Sequence, residues 1–261
     1  MVSVNQKRTR IFMVVAIVCI ALVQFMPRIE YRIVPSRKQD FVRQYLKART
    51  SDVFSTIYKG RIWGKDTSET PFYSGAGSHD ADAVEPYVAS VRSWILQTFI
   101  NPPNVADLGC GDFNIGRQIR NVTDRYIACD IVPDLIDYNR LAFADQNVDF
   151  RVLDMISEGL PAADVVFVRQ VLQHLDNEGV AYIIPKLYQY KWAVITEHIP
   201  LWDDFVPNVD ILTGNVRILV NSGLDLTKPP FHLQHYGEKI ICEARASDGR
   251  IRTTAYKLRE S

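Results

Sequence analysis

Three acidic residues, Asp107, Asp130 and Asp154, each close a short apolar run, and a glycine turn, Gly109-Cys110-Gly111, follows the first of them. A carboxylate at the end of a buried strand is a fixed hydrogen-bond acceptor, suited to the hydroxyls and amino groups of a bound molecule. Gly109 and Gly111 let the backbone bend sharply and approach that molecule with no Cβ in the way. Asp130 lies about twenty residues past the turn, where a carboxylate accepts the two hydroxyls of an adenosine ribose. Ile131 then offers an apolar face to the adenine ring, Asp154 an acceptor for its amino group, and Met155 a packing surface. The chemistry predicted is recognition of an adenosine-containing cofactor. Dinucleotides share the ribose carboxylate, but here the third glycine of G-x-G-x-x-G is Asn114, and Asp107 stands where a dinucleotide strand carries an apolar residue.

These residues need a scaffold that brings strand ends together. Val105 to Leu108, Tyr126 to Cys129, Val148 to Leu153 and Ala163 to Val168 read as four strands with helical segments between them. Ligands of open α/β sheets sit at the carboxyl ends of such strands. Val84, Val88, Val91, Ile95 and Phe99 form a stripe that predicts a helix over 84–100, ended by Asn101-Pro102-Pro103. A second covering helix is expected over 176–190, with Val180, Ile183, Ile184 and Leu187 inward and Pro185 as a possible kink. Trp192 to Thr196 predicts a fifth strand ending at Glu197-His198. Ile240 to Ala246 and Ile251 to Leu258 flank an Asp248-Gly249 turn and predict a closing hairpin. Residues 199–231 carry Pro, Asn and Gly with little periodicity, which predicts a long loop overhanging the strand ends as a substrate lid, with Trp202 and Phe205 as lining candidates.

Taken together, these motifs resemble the class I S-adenosylmethionine (SAM)-dependent methyltransferases, from about Asn104 to the C-terminus. Asp107 to Asp112, DLGCGD, is similar to their motif I. Ala128 to Val132 resembles the acidic end of their second strand, Leu153 to Met155 that of the third, and Val171 to Leu175 the segment after the fourth. A narrower likeness is carried by Glu69 to Asp80, ETPFYSGAGSHD, which resembles an SGPGS-type segment upstream of motif I in a bacterial group, with Ala76 in place of its proline. The resemblance implies an α/β fold: a Rossmann-like seven-stranded, mostly parallel sheet with a C-terminal antiparallel hairpin and helices on both faces. It implies SAM as cofactor, with Asp107 near its amino end. Contacts are expected from Ser74, Gly75, Ser78, Asp107, Gly109, Cys110, Gly111, Asp130, Ile131, Asp154, Met155 and Gln170. The SGAGS backbone has two readings, a set of N–H donors for an anion such as the cofactor's carboxylate, or a plain turn.

Composition fits one catalytic domain of ordinary core size, with 47% hydrophobic residues in 261. Thirty basic and thirty acidic residues leave no net charge, so no nucleic-acid partner is expected. Ile11 to Met26 is apolar apart from Gln24 and follows Lys7, Arg8 and Arg10. It predicts an uncleaved transmembrane anchor, with a cleaved signal peptide and a buried helix as alternatives. The anchor makes the expected location a single-pass membrane protein with its catalytic domain on the cytosolic face, where SAM is made. The expected division is 1–27 anchor, 28–83 connector with the SGAGS segment, and 84–261 methyltransferase domain. Phe41, Tyr45, Val53, Phe54 and Ile57 predict an amphipathic connector helix, resting either on lipid or on the catalytic domain.

Methyl transfer asks chiefly for alignment and exclusion of water, with a general base for a hydroxyl acceptor. His174 is the predicted base, with a helix-capping or packing role as its alternative; Glu197, His198 and His79 are second choices. No His, Cys and carboxylate cluster has metal-ligand spacing, so no metal is expected. The acceptor predicted is a small molecule, a sugar or a lipid-linked intermediate. A non-catalytic SAM-binding protein and an NAD(P)-dependent oxidoreductase stand as alternatives.

Overall fold

The computed structural model describes residues 49–64, 70–246 and 248–260. The apolar run 11–26, its basic flanks, and Phe41 and Tyr45 of the connector lie outside them. No helix among the described residues is long and apolar enough to cross a membrane.

Seven strands form one sheet in the order β3-β2-β1-β4-β5-β7-β6. They are β1 (Val105–Leu108), β2 (Tyr126–Asp130), β3 (Asp149–Val152), β4 (Val165–Arg169), β5 (Trp192–Ile199), β6 (Gly237–Arg245) and β7 (Arg250–Lys257). The first five pair in parallel, and β7 enters antiparallel between β5 and β6. β1 lies inside the sheet between β2 and β4, and every residue of it is buried, as a strand covered on both faces must be. Strand order reverses between β1 and β4, which opens a crevice at their carboxyl ends.

Helices cover both faces. On one, α1 (Ala81–Thr98) lays Tyr87, Val91, Trp94 and Ile95 over Val105, Phe167 and Val194. Asp80 caps it, accepting from the Asp82 N–H at 3.1 Å, so it begins three residues earlier than its apolar stripe. The short α2 (Gly116–Ile119) follows the glycine turn, and α3 (Pro133–Ala142) starts on a proline that lacks the N–H a first turn cannot use. On the other face, α4 (Asn177–Leu187) is capped by Asp176, which accepts from the Gly179 N–H at 2.7 Å. Pro185 lies inside α4 without ending it.

A further helical stretch, 49–59, gives Phe54, Ile57 and Tyr58 to the same core as the inner face of α4 and bonds Ile131 O through Ser51 Oγ at 3.1 Å. Of the two readings of the connector helix, its described part takes the one packed on the catalytic domain.

Residues 200–236 contain one 3-10 turn, Arg217–Val220, and otherwise no regular element, as a long loop should. They bond the segment just after β4, through Gly214 and Asn215 to His174, but line no part of the cavity at the strand ends. Leu224, Leu226, Phe231 and Leu233 are buried in the core beside α4, and Arg217 ties the loop down through Leu172 O (2.9 Å) and Asn177 Oδ1 (2.8 Å). The lid expectation is corrected to that extent: buried polar anchors hold this loop on the segment between β4 and α4, outside the cavity lining.

Candidate active site

A cavity of about 280 Å³ opens in the crevice between β1 and β4, close to the size of small-molecule sites, roughly 300–1,000 Å³. Its floor is the glycine turn. Gly109 and Cys110 hang from the end of β2, both N–H groups donating to Cys129 O at 2.8 and 2.9 Å. Gly109 and Gly111 adopt φ of 77° and 56°, the left-handed region that L side chains rarely enter. A Cβ at Gly109 would collide with the Val171 side chain, and one at Gly111 with Ser74 Oγ. Asn139 clamps the turn from α3, its Nδ2 donating to Gly111 O at 2.7 Å.

Asp130 stands beside this floor. Its two oxygens accept from the Gly111 N–H (3.2 Å) and the Val132 N–H (3.1 Å), which orients the carboxylate and leaves lone pairs for a ligand. Burial pushes its carboxyl up to about 6 against the pull of those N–H groups. Asp107 projects on the α1 side of the sheet and accepts from the Tyr126 hydroxyl at 2.9 Å. Burial raises it to about 7, the Tyr126 bond opposing. Asp154 accepts from the Ile156 N–H (2.9 Å) and Ser157 Oγ (2.6 Å), and Ile131 and Met155 complete that end of the cavity. Burial holds the Cys110 thiol well above its ordinary range, so no thiolate forms there.

The segment 74–78 forms a second wall. Ser74 and Asp112 bond reciprocally: the Ser74 N–H donates to Asp112 Oδ2 and the Asp112 N–H to Ser74 Oγ, both at 2.9 Å. Tyr58 OH lies 3.1 Å from the same Oγ. Gly75 and Ser78 line the cavity, while Gly77 O and Ser78 Oγ accept from Arg169 at 2.6 and 3.3 Å. Every cofactor contact expected from the sequence, Ser74 through Gln170, therefore lines this one cavity.

His174 lines the same cavity but in a bonded state. Its Nδ1 is 3.0 Å from Asn215 O, an acceptor only, so Nδ1 carries the proton. The Nε2 lone pair accepts from Gln173 Nε2 at 3.2 Å. Burial pulls the imidazole down to about 4, so the ring is neutral at pH 7 and a weak base. This geometry favours its packing role. The second-choice groups do not reach the cavity. Glu197 is buried beneath it, accepting from the Gln173 N–H at 3.1 Å and pushed up to about 8 by burial. His198 faces Asp248 at 3.2 Å. His79 sits 2.6 Å from Asp112 Oδ2 and stacks on Tyr73. Trp202 and Phe205 line nothing in the cavity, and Trp202 is 75% exposed.

Several cavity residues were not expected at the site from the sequence. Phe54, Tyr58 and Trp63 form an aromatic wall, with Trp63 5.2 Å from Tyr58 and 5.1 Å from His174 between ring centres. Only their proximity to the SGAGS segment hinted at it. Arg169, at the end of β4, lies 4.6 Å over the Tyr87 ring. Its sole signal was its place at a strand end.

A family model described as a methyltransferase domain matches residues 106–183, which span β1 to α4. No curated protein matches the chain in sequence. Among solved structures, the N-methyltransferase NodS of Bradyrhizobium japonicum, determined with S-adenosylhomocysteine, is similar at 12% identity and a TM-score of 0.55. That likeness covers 74% of this chain and 94% of NodS. A SAM-dependent methyltransferase of Leishmania major is similar at 13% identity and a TM-score of 0.56, over 81% of this chain and 82% of that one. At such identity the likeness is one of fold.

Proposed function

We propose that this chain, a methyltransferase using S-adenosylmethionine, transfers the methyl group to a small-molecule acceptor seated against the aromatic wall of Phe54, Tyr58 and Trp63. The observation that carries the reading is Asp130 at the end of β2, fixed by two backbone N–H groups, one of them from the glycine turn, in the lining of the same cavity. When bound, the cofactor supplies a methyl group already activated by its sulfonium. The chain's own groups then orient and desolvate. Asp130 accepts from ribose hydroxyls, Asp154 and Met155 hold the base, and the glycine turn allows close approach. Asp107 takes the amino group.

Among the described residues the acceptor side carries no strong base. The His174 lone pair is engaged by Gln173, and a group with a value near 4 removes few protons at pH 7. This favours acceptors that bring their own lone pair, an amine or an already ionised oxygen, over a sugar hydroxyl. The aromatic wall suits a flat or cationic portion of such a molecule.

Calorimetry with the full chain tests the cofactor. SAM is expected to bind at micromolar strength and NAD(H) not at all, and Asp130→Ala should abolish SAM binding. Unchanged affinity in that variant removes Asp130 as the ribose acceptor. A screen of amines and phenols with labelled methyl groups then addresses the acceptor.

The apolar run 11–26 supports a second feature of the reading, a tether that holds the domain at the cytosolic face of a membrane and admits a lipid-linked acceptor. Fractionation checks it: the full chain should sediment with membranes and resist carbonate extraction, and recovery in the soluble fraction would discard the tether.

A further inference from the structure

Arg169 carries a charge that its own partners do not require. It ends β4 on the same side of the sheet as Asp107, and its side chain lines the cavity. All its hydrogen-bond acceptors are neutral: Gly77 O at 2.6 Å, Gln170 Oε1 at 2.8 Å and Ser78 Oγ at 3.3 Å. Nε is buried with no acceptor, and Asp107, whose charge acts on the guanidinium, is hydrogen-bonded to Tyr126 and not to it. Gln170 adopts φ of 54°, an uncommon conformation for a residue with a Cβ, and from there presents its amide oxygen to the guanidinium. A guanidinium desolvated against neutral acceptors and an aromatic ring is costly unless an anion joins it.

The neighbourhood says which anion. Asp107 shares the α1 side with Arg169, yet its carboxylate is bonded to Tyr126 and not to the guanidinium. An acidic and a basic group side by side, not paired to each other, match a zwitterion. A phosphate or pyrophosphate would meet repulsion from Asp107, whereas an α-amino acid end offers an ammonium to one group and a carboxylate to the other.

We propose that Arg169 binds the carboxylate of the cofactor's methionine end, while Asp107 receives its ammonium. The assignment rests on the reading of the cavity as an S-adenosylmethionine site, and it gives the charge of Arg169 a ligand rather than a structural purpose. It also gives the 74–78 segment a task. Through Gly77 O and Ser78 Oγ that segment holds the guanidinium in place, whichever of its own N–H groups face the ligand.

The test removes the carboxylate from either side. With the wild-type full chain, decarboxylated S-adenosylmethionine should bind roughly 30-fold more weakly than SAM, the worth of one charge-assisted contact. Arg169→Gln should weaken SAM by a similar factor and no longer distinguish the two ligands. It should bind 5′-methylthioadenosine, which has no amino-acid end, as the wild type does. Arg169→Lys should keep part of the discrimination. Equal affinity of the wild type for SAM and its decarboxylated form overturns the assignment, and this comparison needs no variant to fold. Equal weakening of SAM and methylthioadenosine by a folded Arg169→Gln overturns it too. Binding of neither ligand by the wild type sinks the cofactor reading itself and the role of Arg169 with it, whereas methylthioadenosine bound without any preference for SAM spares the first and removes the second.

Discussion

Burial places Asp107 near 7 and Asp130 near 6, so both carboxyls of the free protein titrate where enzymes are usually assayed. For Asp107 the folded value lies above the unfolded one of about 4. Its contribution to stability is therefore present below about pH 4 and lost as pH rises through 7; above that, the ionised group is held at a cost. An ammonium beside it favours the ionised form, so the cofactor should bind with release of a proton near neutral pH. SAM affinity should accordingly weaken as pH falls below 7, by at most about tenfold per pH unit for this one group. Calorimetry in two buffers of different ionisation heat measures the released proton. Asp107→Asn should bind SAM weakly, flatten the slope, and melt no lower than the parent at about pH 8 as free protein. An affinity independent of pH between about 5.5 and 8 would contradict the role. Residues of this kind were readable in the sequence because a carboxylate that closes an apolar run beside two glycines has little to do in a fold except meet a ligand. Arg169 was not, since nothing in VVFVRQ says that its guanidinium meets only neutral acceptors.

Among the elements, the stripe of α1 was legible from its spacing, and its true start was set by Asp80, whose capping oxygen a periodicity cannot register. The helical stretch 49–59 was half legible. Phe54 and Ile57 announced an amphipathic face, but a stripe does not name the surface it covers. Here it covers the core under α4 and supplies Tyr58 to the cavity. Phe54→Ala should therefore destabilise the catalytic domain by about 3 kcal/mol or more, read as a lowered denaturant midpoint at constant slope. A loss under about 1 kcal/mol would mark the helix as an arm that the domain does not need. The loop 200–236 misled for a related reason. Its Pro, Asn and Gly content described irregular backbone correctly, while Asn208, Arg217 and Ser222, all buried, decide where that backbone lies. A polar residue that will be buried looks in sequence like one that will face water.

At the level of the whole molecule, the parallel strands and the antiparallel β7 are the features that four strand-end motifs and one Asp-Gly turn anticipated, whereas the reversal of order at β1 was not. The 74–78 wall had its own motif, but none conveyed that the cavity is also closed by 49–63, chain from well before motif I, whose Tyr58 meets Ser74. These contacts join positions far apart in sequence, and each partner alone is an ordinary serine, tyrosine or tryptophan. The clasp between Ser74 and the turn at Gly111 and Asp112 shows what such joining entails for descent. With a left-handed backbone at Gly111 and the Ser74 hydroxyl filling the space where its Cβ would go, a side chain at Gly111 is barred twice, by conformation and by its neighbour. A lineage can shorten Ser74 by itself, at the cost of a hydrogen bond, but can place a side chain at Gly111 only once Ser74 has given way, so change at the two sites has a fixed order.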